Sequence, residues 1–104
     1  MPVEISTYSR RYHGQGTATG QRYDHVRGYT AATTTRRGQR FVLPPGSEWE
    51  VEYLGKRLTV RINDNGPTEP RMGPKYWLDL SGKAWADLTG IAPSRKVAKM
   101  RRVK

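Results

Sequence analysis

The chain reads as an all-β protein, a small barrel with a polar exterior, and three observations predict it. Glu48 to Leu54 alternates, with Trp49, Val51 and Tyr53 on one side and Glu48, Glu50 and Glu52 on the other. Gly55-Lys56 then turns it into Arg57 to Asn63, a hairpin pattern of period two. Gly16, Gly20 and Gly28 punctuate the earlier chain at intervals that suit tight turns. Apolar residues make up 35% of the 104, which suits a thin barrel better than a thick layered fold. A chain of this length makes one domain and buries roughly two-thirds of its unfolded surface.

Glu4 to Tyr8 reads as a first strand and leads into a polar loop, Ser9 to Gly16, that carries Arg10, Arg11 and His13. Tyr29 to Thr34 is β-prone through its Thr and Tyr content. Phe41-Val42-Leu43 reads as a short apolar strand ended by Pro44-Pro45-Gly46. Within the hairpin's second arm, Val60 and Ile62 alternate with Thr59 and Arg61 until Asn65-Gly66-Pro67 breaks the run. Asp64 is left at that rim, where it either caps the turn or presents a carboxylate on a rigid loop. Glu69 to Lys75 is a Pro- and Gly-rich loop. Tyr76 to Leu80 is strand-like. Ser81 is a helix N-cap, Ala84, Trp85 and Leu88 share one helical face, and Gly90 is a stop. Asp79 therefore stands where a strand hands over to a short helix.

Charge divides the chain at about residue 93. Residues 1–93 hold 13 Lys and Arg against 9 Asp and Glu, whereas residues 94–104 hold six basic residues and no acid. The expected organisation is a barrel over 1–93 and a basic C-terminal tail over 94–104. That tail is either frayed or a short basic helix with Val97 and Met100 on one side. Arg95, Lys96, Lys99, Arg101, Arg102 and Lys104 would give it affinity for anionic polymers, whether cell-wall polymers, anionic lipid or, less favoured, nucleic acid. There are no cysteines and only two histidines, so neither a disulfide nor a metal-ligand spacing is present, and no cofactor is expected. No apolar run approaches the ~18 residues of a membrane span. No internal repeat is visible.

Five segments, Ser6-Thr7-Tyr8, Gly16 to Asp24, Tyr29 to Ala32, Ile62 to Pro67 and Leu78 to Ile91, in this order resemble the RlpA (rare lipoprotein A) family of double-psi β-barrels. Ser6-Thr7-Tyr8 is similar to that family's "SWYG" opening, and Gly16 to Asp24 to its "RTASGERFD" element. Tyr29-Thr30-Ala31-Ala32 is similar to "LTAA", and Ile62 to Pro67 to "VNDRGP". Leu78 to Ser81, then Ala84 to Ile91, are similar to "IDLS" followed by an alanine-rich helix and "LG". The likeness runs over about residues 5 to 91. It implies a six-stranded double-psi β-barrel with one short helix, related to expansins, barwin-type endoglucanases and membrane-bound lytic transglycosylase A.

The resemblance also implies a chemistry. Catalytic members of these families cleave or loosen β-1,4-linked polysaccharides, which requires an acid to protonate the glycosidic oxygen. In lytic transglycosylases the sugar's own 6-hydroxyl attacks, so one carboxyl can serve as acid and then base. Asp64 matches the aspartate of active RlpA-like enzymes and is expected as the general acid/base. Asp79 matches the aspartate of the "DLS" element and is expected to assist. Thr17, Thr19, Gln21, Asn63 and Asn65 are expected to orient sugar. Tyr8, Tyr12, Tyr76 and Trp77 are expected either to stack on sugar faces or to pack in the barrel.

Two positions depart from the family pattern. Gln21 stands where active members carry glutamate, and Thr33 where they carry histidine, with His13 and His25 nearby in sequence. Three functions are therefore carried forward. The first is a lytic transglycosylase acting on the glycan strands of peptidoglycan. The second is a non-catalytic, expansin-like wall-binding module. The third is a virion or tail component with virion partner proteins. Met1 to Glu4 does not read as a signal peptide, so the expectation is a processed form, an unusual export route or a phage protein.

Overall fold

The computed structural model describes residues 1–33, 42–65 and 70–104. Its elements are β1 (Pro2–Thr7), β2 (Thr30–Thr33), β3 (Glu48–Tyr53), β4 (Lys56–Asn65), β5 (Trp77–Leu80), α1 (Gly82–Thr89) and β6 (Lys96–Arg102). A single turn of 3-10 helix, Arg10–Tyr12, follows β1. The strands close into a barrel in the order β1-β5-β2-β4-β3-β6. β1 runs parallel to β5 and β2 parallel to β4; the other neighbours are antiparallel. This is the six-stranded double-psi barrel with one helix that the motif order implies.

The core follows strand periodicity. Val3 and Ile5 of β1, Val51 of β3, Val60 and Ile62 of β4, and Leu78 and Leu80 of β5 are fully buried and meet inside the barrel. In α1 the Ser81 hydroxyl accepts the Ala84 N–H at 3.2 Å, and Gly90 ends the helix at φ 67°. Ala84, Trp85 and Leu88 are the helix face that joins the core.

Three expectations need correction. Residues 94–104 are not a tail: Lys96–Arg102 is β6, the strand that closes the barrel between β1 and β3. Ala98 and Met100 point into the core, and Lys99 and Arg101 point out. Alternating small or apolar residues with cations is a half-buried strand pattern, and the cation count hides it. The outward charge is answered by the glutamates of β3. Arg101 Nε meets Glu50 Oε1 at 3.0 Å, and Lys99 lies in register with Glu52, which pairs with Arg57 at 3.0 Å. The apolar strand expected at 41–43 is the second correction. Phe41 lies outside the described residues, and Val42 and Leu43 form a bend rather than a ladder. Leu43 is nonetheless buried, and the prolines after it have no N–H to extend pairing.

The hairpin turn is the third, since it falls one residue earlier than expected, on Leu54 and Gly55. Both take positive φ, 48° and 84°, as a two-residue turn of the twist-matching kind demands. Leucine is poorly suited to that region, and the Leu54 side chain is 87% exposed. Leu54→Asn is therefore expected to stabilise the fold by about 1 kcal/mol, read as a higher urea midpoint. An unchanged or lower midpoint would contradict the assignment. Removing residues 94–104 is expected to abolish cooperative thermal unfolding, because two strand edges and the Met100 site would open together. A truncated chain that melts like the full one would restore the tail reading.

Candidate functional site

Strand register places both aspartates in one row. On the outer face of the barrel Ser6 of β1 pairs with Asp79 of β5, Asp79 with Ala32 of β2, and Ala32 with Asp64 of β4. Simple alternation would have put Asp64 in phase with Val60 and Ile62, pointing into the core. A register shift intervenes: Ala31 pairs with Ile62 but Ala32 with Asp64, so Asn63 is an extra residue. A bulge of this kind rotates the residues beyond it to the other face. Asp64 thereby joins Asp79 on the outside, with the small Ala32 between them.

The groove over this row has a volume of about 310 Å³ and is lined by Tyr8, Ser9, Tyr12, Gly16, Thr17, Tyr23, Asp64, Asn65 and Asp79. Asp64 is held by three donors. The Tyr8 hydroxyl donates to Oδ2 at 2.9 Å, and the Ala18 and Asn65 N–H groups donate to Oδ1 at 3.0 and 2.9 Å. Asp79 accepts the Ser6 hydroxyl on Oδ1 at 2.9 Å. Burial pushes the Asp79 carboxyl up to about 6, while the Ser6 hydrogen bond and the charge of Arg95 pull the other way. Tyr8 is driven upward as well, by burial first and by Asp64 second, so its hydroxyl stays a donor. The two carboxyls thus differ in kind: Asp64 is tied on both oxygens, and Asp79 is desolvated with one tie.

Of the residues expected at the site, Asp64, Asp79, Tyr8, Tyr12, Thr17 and Asn65 converge on the groove. Thr19, Gln21 and Asn63 line an adjoining recess of about 260 Å³ instead. There they moor the 16–22 loop to the bulge: Thr19 N and Oγ1 donate to the Asn63 carbonyl, and Asn63 Nδ2 donates to Gln21 Oε1 at 3.2 Å. Tyr76 packs against the core, and Trp77 is 7% exposed beneath the Arg95 guanidinium, so neither offers a face to the groove. Thr33 is buried and one residue out of phase with the row. His25 lines a neighbouring, more apolar cavity of about 580 Å³ with Trp85, Ala86 and Ile91, which shares Tyr8 and Ser9 with the groove, and His13 Nδ1 accepts the His25 N–H at 3.1 Å. Among the described residues no group of three or more His, Cys, Asp or Glu could hold a metal, and no helix is long and apolar enough to cross a membrane.

Tyr23 and Ser6 belong to the site but were not singled out from the sequence. Tyr23 meets Tyr8 edge-on at 4.6 Å, and its hydroxyl accepts the Gly82 N–H at 3.1 Å while bonded to His25 Nδ1 at 2.7 Å. A hydroxyl can accept twice, so the direction of the Tyr23–His25 bond follows the tautomer of His25. Burial pushes Tyr23 up to about 12 and His25 downward. The His25 ring sits so close over Gly82 that a Cβ there would lie 2.4 Å from it. Both residues stand inside the quoted motifs, Ser6 in the opening and Tyr23 two residues after Gln21, and that was the available signal.

The Asp79 environment makes a signed prediction. Its folded value lies above the ordinary 3.8, so between about pH 4 and 6 the folded chain keeps a proton that the unfolded chain has lost. Stability from this group is present at low pH and falls as pH rises through that window. Asp79→Asn is expected to be about 1–3 kcal/mol more stable than wild type near pH 8 and to match it near pH 4. Urea curves across that range decide the matter, and a pH-independent difference would refute it.

Comparison with known proteins places this architecture. A family model described as lytic transglycolase matches residues 5–101. The endolytic peptidoglycan transglycosylase RlpA of Pseudomonas aeruginosa is 44% identical over 69 residues, 64% of this chain and 18% of that protein. The probable endolytic peptidoglycan transglycosylase RlpA of Treponema pallidum is 41% identical over 64 residues, 60% of this chain and 18% of that protein. The chain thus aligns with less than a fifth of the length of these relatives. The structure of Streptomyces papain inhibitor superposes with a TM-score of 0.60 at 20% identity, covering 93% of this chain and 89% of that one, a likeness of fold alone.

Proposed function

The chain belongs to the RlpA-like double-psi β-barrel family of lytic transglycosylases, and on that premise we propose that it cleaves peptidoglycan glycan strands with Asp79 and Asp64 as its working carboxyls. The observation that carries the reading is the outer row of the barrel, which holds two aspartates over one groove in opposite environments. Expectation from the motif gave the proton to Asp64. Burial of Asp79 supports giving it to Asp79 instead, since a carboxyl raised to about 6 still holds a proton in part of the molecules near neutrality.

In this reading Asp79 protonates the glycosidic oxygen as the C1–O bond breaks. Asp64, pinned by Tyr8, Ala18 and Asn65, faces the positive charge that develops at C1 and needs no rearrangement to do so. The sugar's 6-hydroxyl then attacks C1, and its proton returns to Asp79. Atoms and charge balance, no water is consumed, and the enzyme regains its starting state. Tyr12, 38% exposed at the groove edge, offers a face for sugar stacking.

A second reading rests on a specific observation. Gln21 is engaged with Asn63 and Thr33 is buried, so neither place associated with family catalysis supplies a titrating group to the groove. That favours a wall-binding module without turnover.

Digestion of peptidoglycan glycan strands with analysis by mass spectrometry separates the two. Wild type is expected to release anhydro-muramyl products. Asp79→Asn is expected to lose about 10²–10⁴-fold of that rate, with Asp64→Asn also strongly impaired. The wild-type rate is expected to decline as pH rises through about 6, because the acid form of Asp79 is required. Sedimentation with insoluble wall and no soluble product would select the binding module. Full activity in Asp79→Asn would remove Asp79 as the acid.

A further inference from the structure

Behind Asp79 runs a chain of contacts on the outer face of β1 and β5. Trp77 Nε1 donates to Ser6 Oγ at 2.6 Å, and Ser6 Oγ donates to Asp79 Oδ1 at 2.9 Å. The Arg95 guanidinium lies 4.0 Å from the centroid of the Trp77 ring. Its Nε meets Glu4 Oε2 at 3.0 Å. Glu4 is fully buried, pairs in register with Trp77, and accepts the Arg71 and Met72 N–H groups on Oε1, each at 2.7 Å.

The groups themselves set the direction of these bonds when Asp79 is ionised. An indole N–H can only donate, so Ser6 Oγ must accept from Trp77. When Asp79 is ionised its oxygens only accept, so the Ser6 proton then goes to Oδ1 and supports the charged form. Arg95 acts on the same carboxyl through space, and the buried Glu4 keeps its flexible side chain in place over Trp77.

We propose that Glu4, Arg95, Trp77 and Ser6 form a positioning relay for Asp79, in which the Trp77–Ser6 hydrogen bonds hold and support the ionised carboxyl and the clamped Arg95 charge sets how readily its proton leaves. This deepens the reading of Asp79 as the proton donor and rests on it. The other groups acting near Asp79 are Tyr8 after β1, Tyr23 ahead of β2, and Asp64 across Ala32. Both tyrosines are driven upward and stay neutral around pH 7, so they add no charge. Arg95 is the cation that opposes the burial of Asp79.

The test is a ¹³C NMR titration of the Asp79 side-chain carboxyl in the 104-residue chain, which reports on the relay whether or not the protein turns over. The midpoint is expected to move up by about 0.5–1 pH unit in Arg95→Gln and in Ser6→Ala, since each removes support for the charged form. Arg95→Lys, which keeps the charge, is expected to restore most of it. Arg102→Gln, an exposed cation at the far end of β6, is expected to change nothing. In the glycan digest, the pH at which the rate is halved is expected to shift with the titration. Ser6→Ala keeps the question open to measurement if Arg95→Gln fails to fold. A folded Arg95→Gln or Ser6→Ala whose Asp79 titrates as wild type overturns the relay even if the protein cleaves glycan. Shifted titrations in a protein that cleaves nothing would support the relay and reject the enzymatic reading.

Discussion

One extra residue in β4 governs the site. Alternation along a strand is strict, so the only way to bring Asp64 out of phase with Val60 and Ile62 is to insert a residue, and Asn63 is that residue. Its consequences spread outward. The Asn63 carbonyl and amide take hold of Thr19 and Gln21, which moors the 16–22 loop. That loop delivers the Ala18 N–H to Asp64 and the Thr17 side of the groove. Without the bulge Asp64 would be a buried charge facing leucines, and the groove would lose one wall.

The barrel supplies what the bulge cannot, a rigid frame on which β1, β5, β2 and β4 lie side by side. That frame is closed by β6, whose Ala98 and Met100 complete the core while its cations meet the glutamates of β3. The same segment brings Arg95 to Glu4 and Trp77, so closure of the fold and the electrostatics of Asp79 are joined at one strand. Part of the positive charge of the 19 Lys and Arg is thus paired within the sheet, and ion pairs this exposed serve more as register marks than as sources of stability.

The two departures from the family pattern have local explanations. Glutamine at 21 pairs with the Asn63 amide, which needs an acceptor, and it does so in a recess beside the groove. Threonine at 33 occupies a buried position next to Ala32, where a larger polar ring would have to find room. Neither position adds a titrating group to the groove, whose paired carboxyls are those of the aspartate row.

Much of this was legible in the linear chain. The hairpin of β3 and β4, the Ser81 cap, the Gly90 stop and the hand-over at Asp79 are local features, set by alternation and by hydrogen bonds within a few residues. The family was legible because five short motifs keep their order. Other features were not, because they depend on partners far away in sequence. The strand character of 96–102 appears only against β1 and β3, since its cations read as a tail until their glutamates are beside them. The outward aim of Asp64 depends on a register shift against β2, which no pattern within β4 reveals. Whether Trp77 stacks on sugar or packs could not be read from its own segment, and Arg95, eighteen residues on, covers it. Sequence determined most of the elements and the two aspartates; tertiary structure decided the closing strand, which side each residue faces and what charge it feels, because pairing, facing and desolvation are set by neighbours across the sheet.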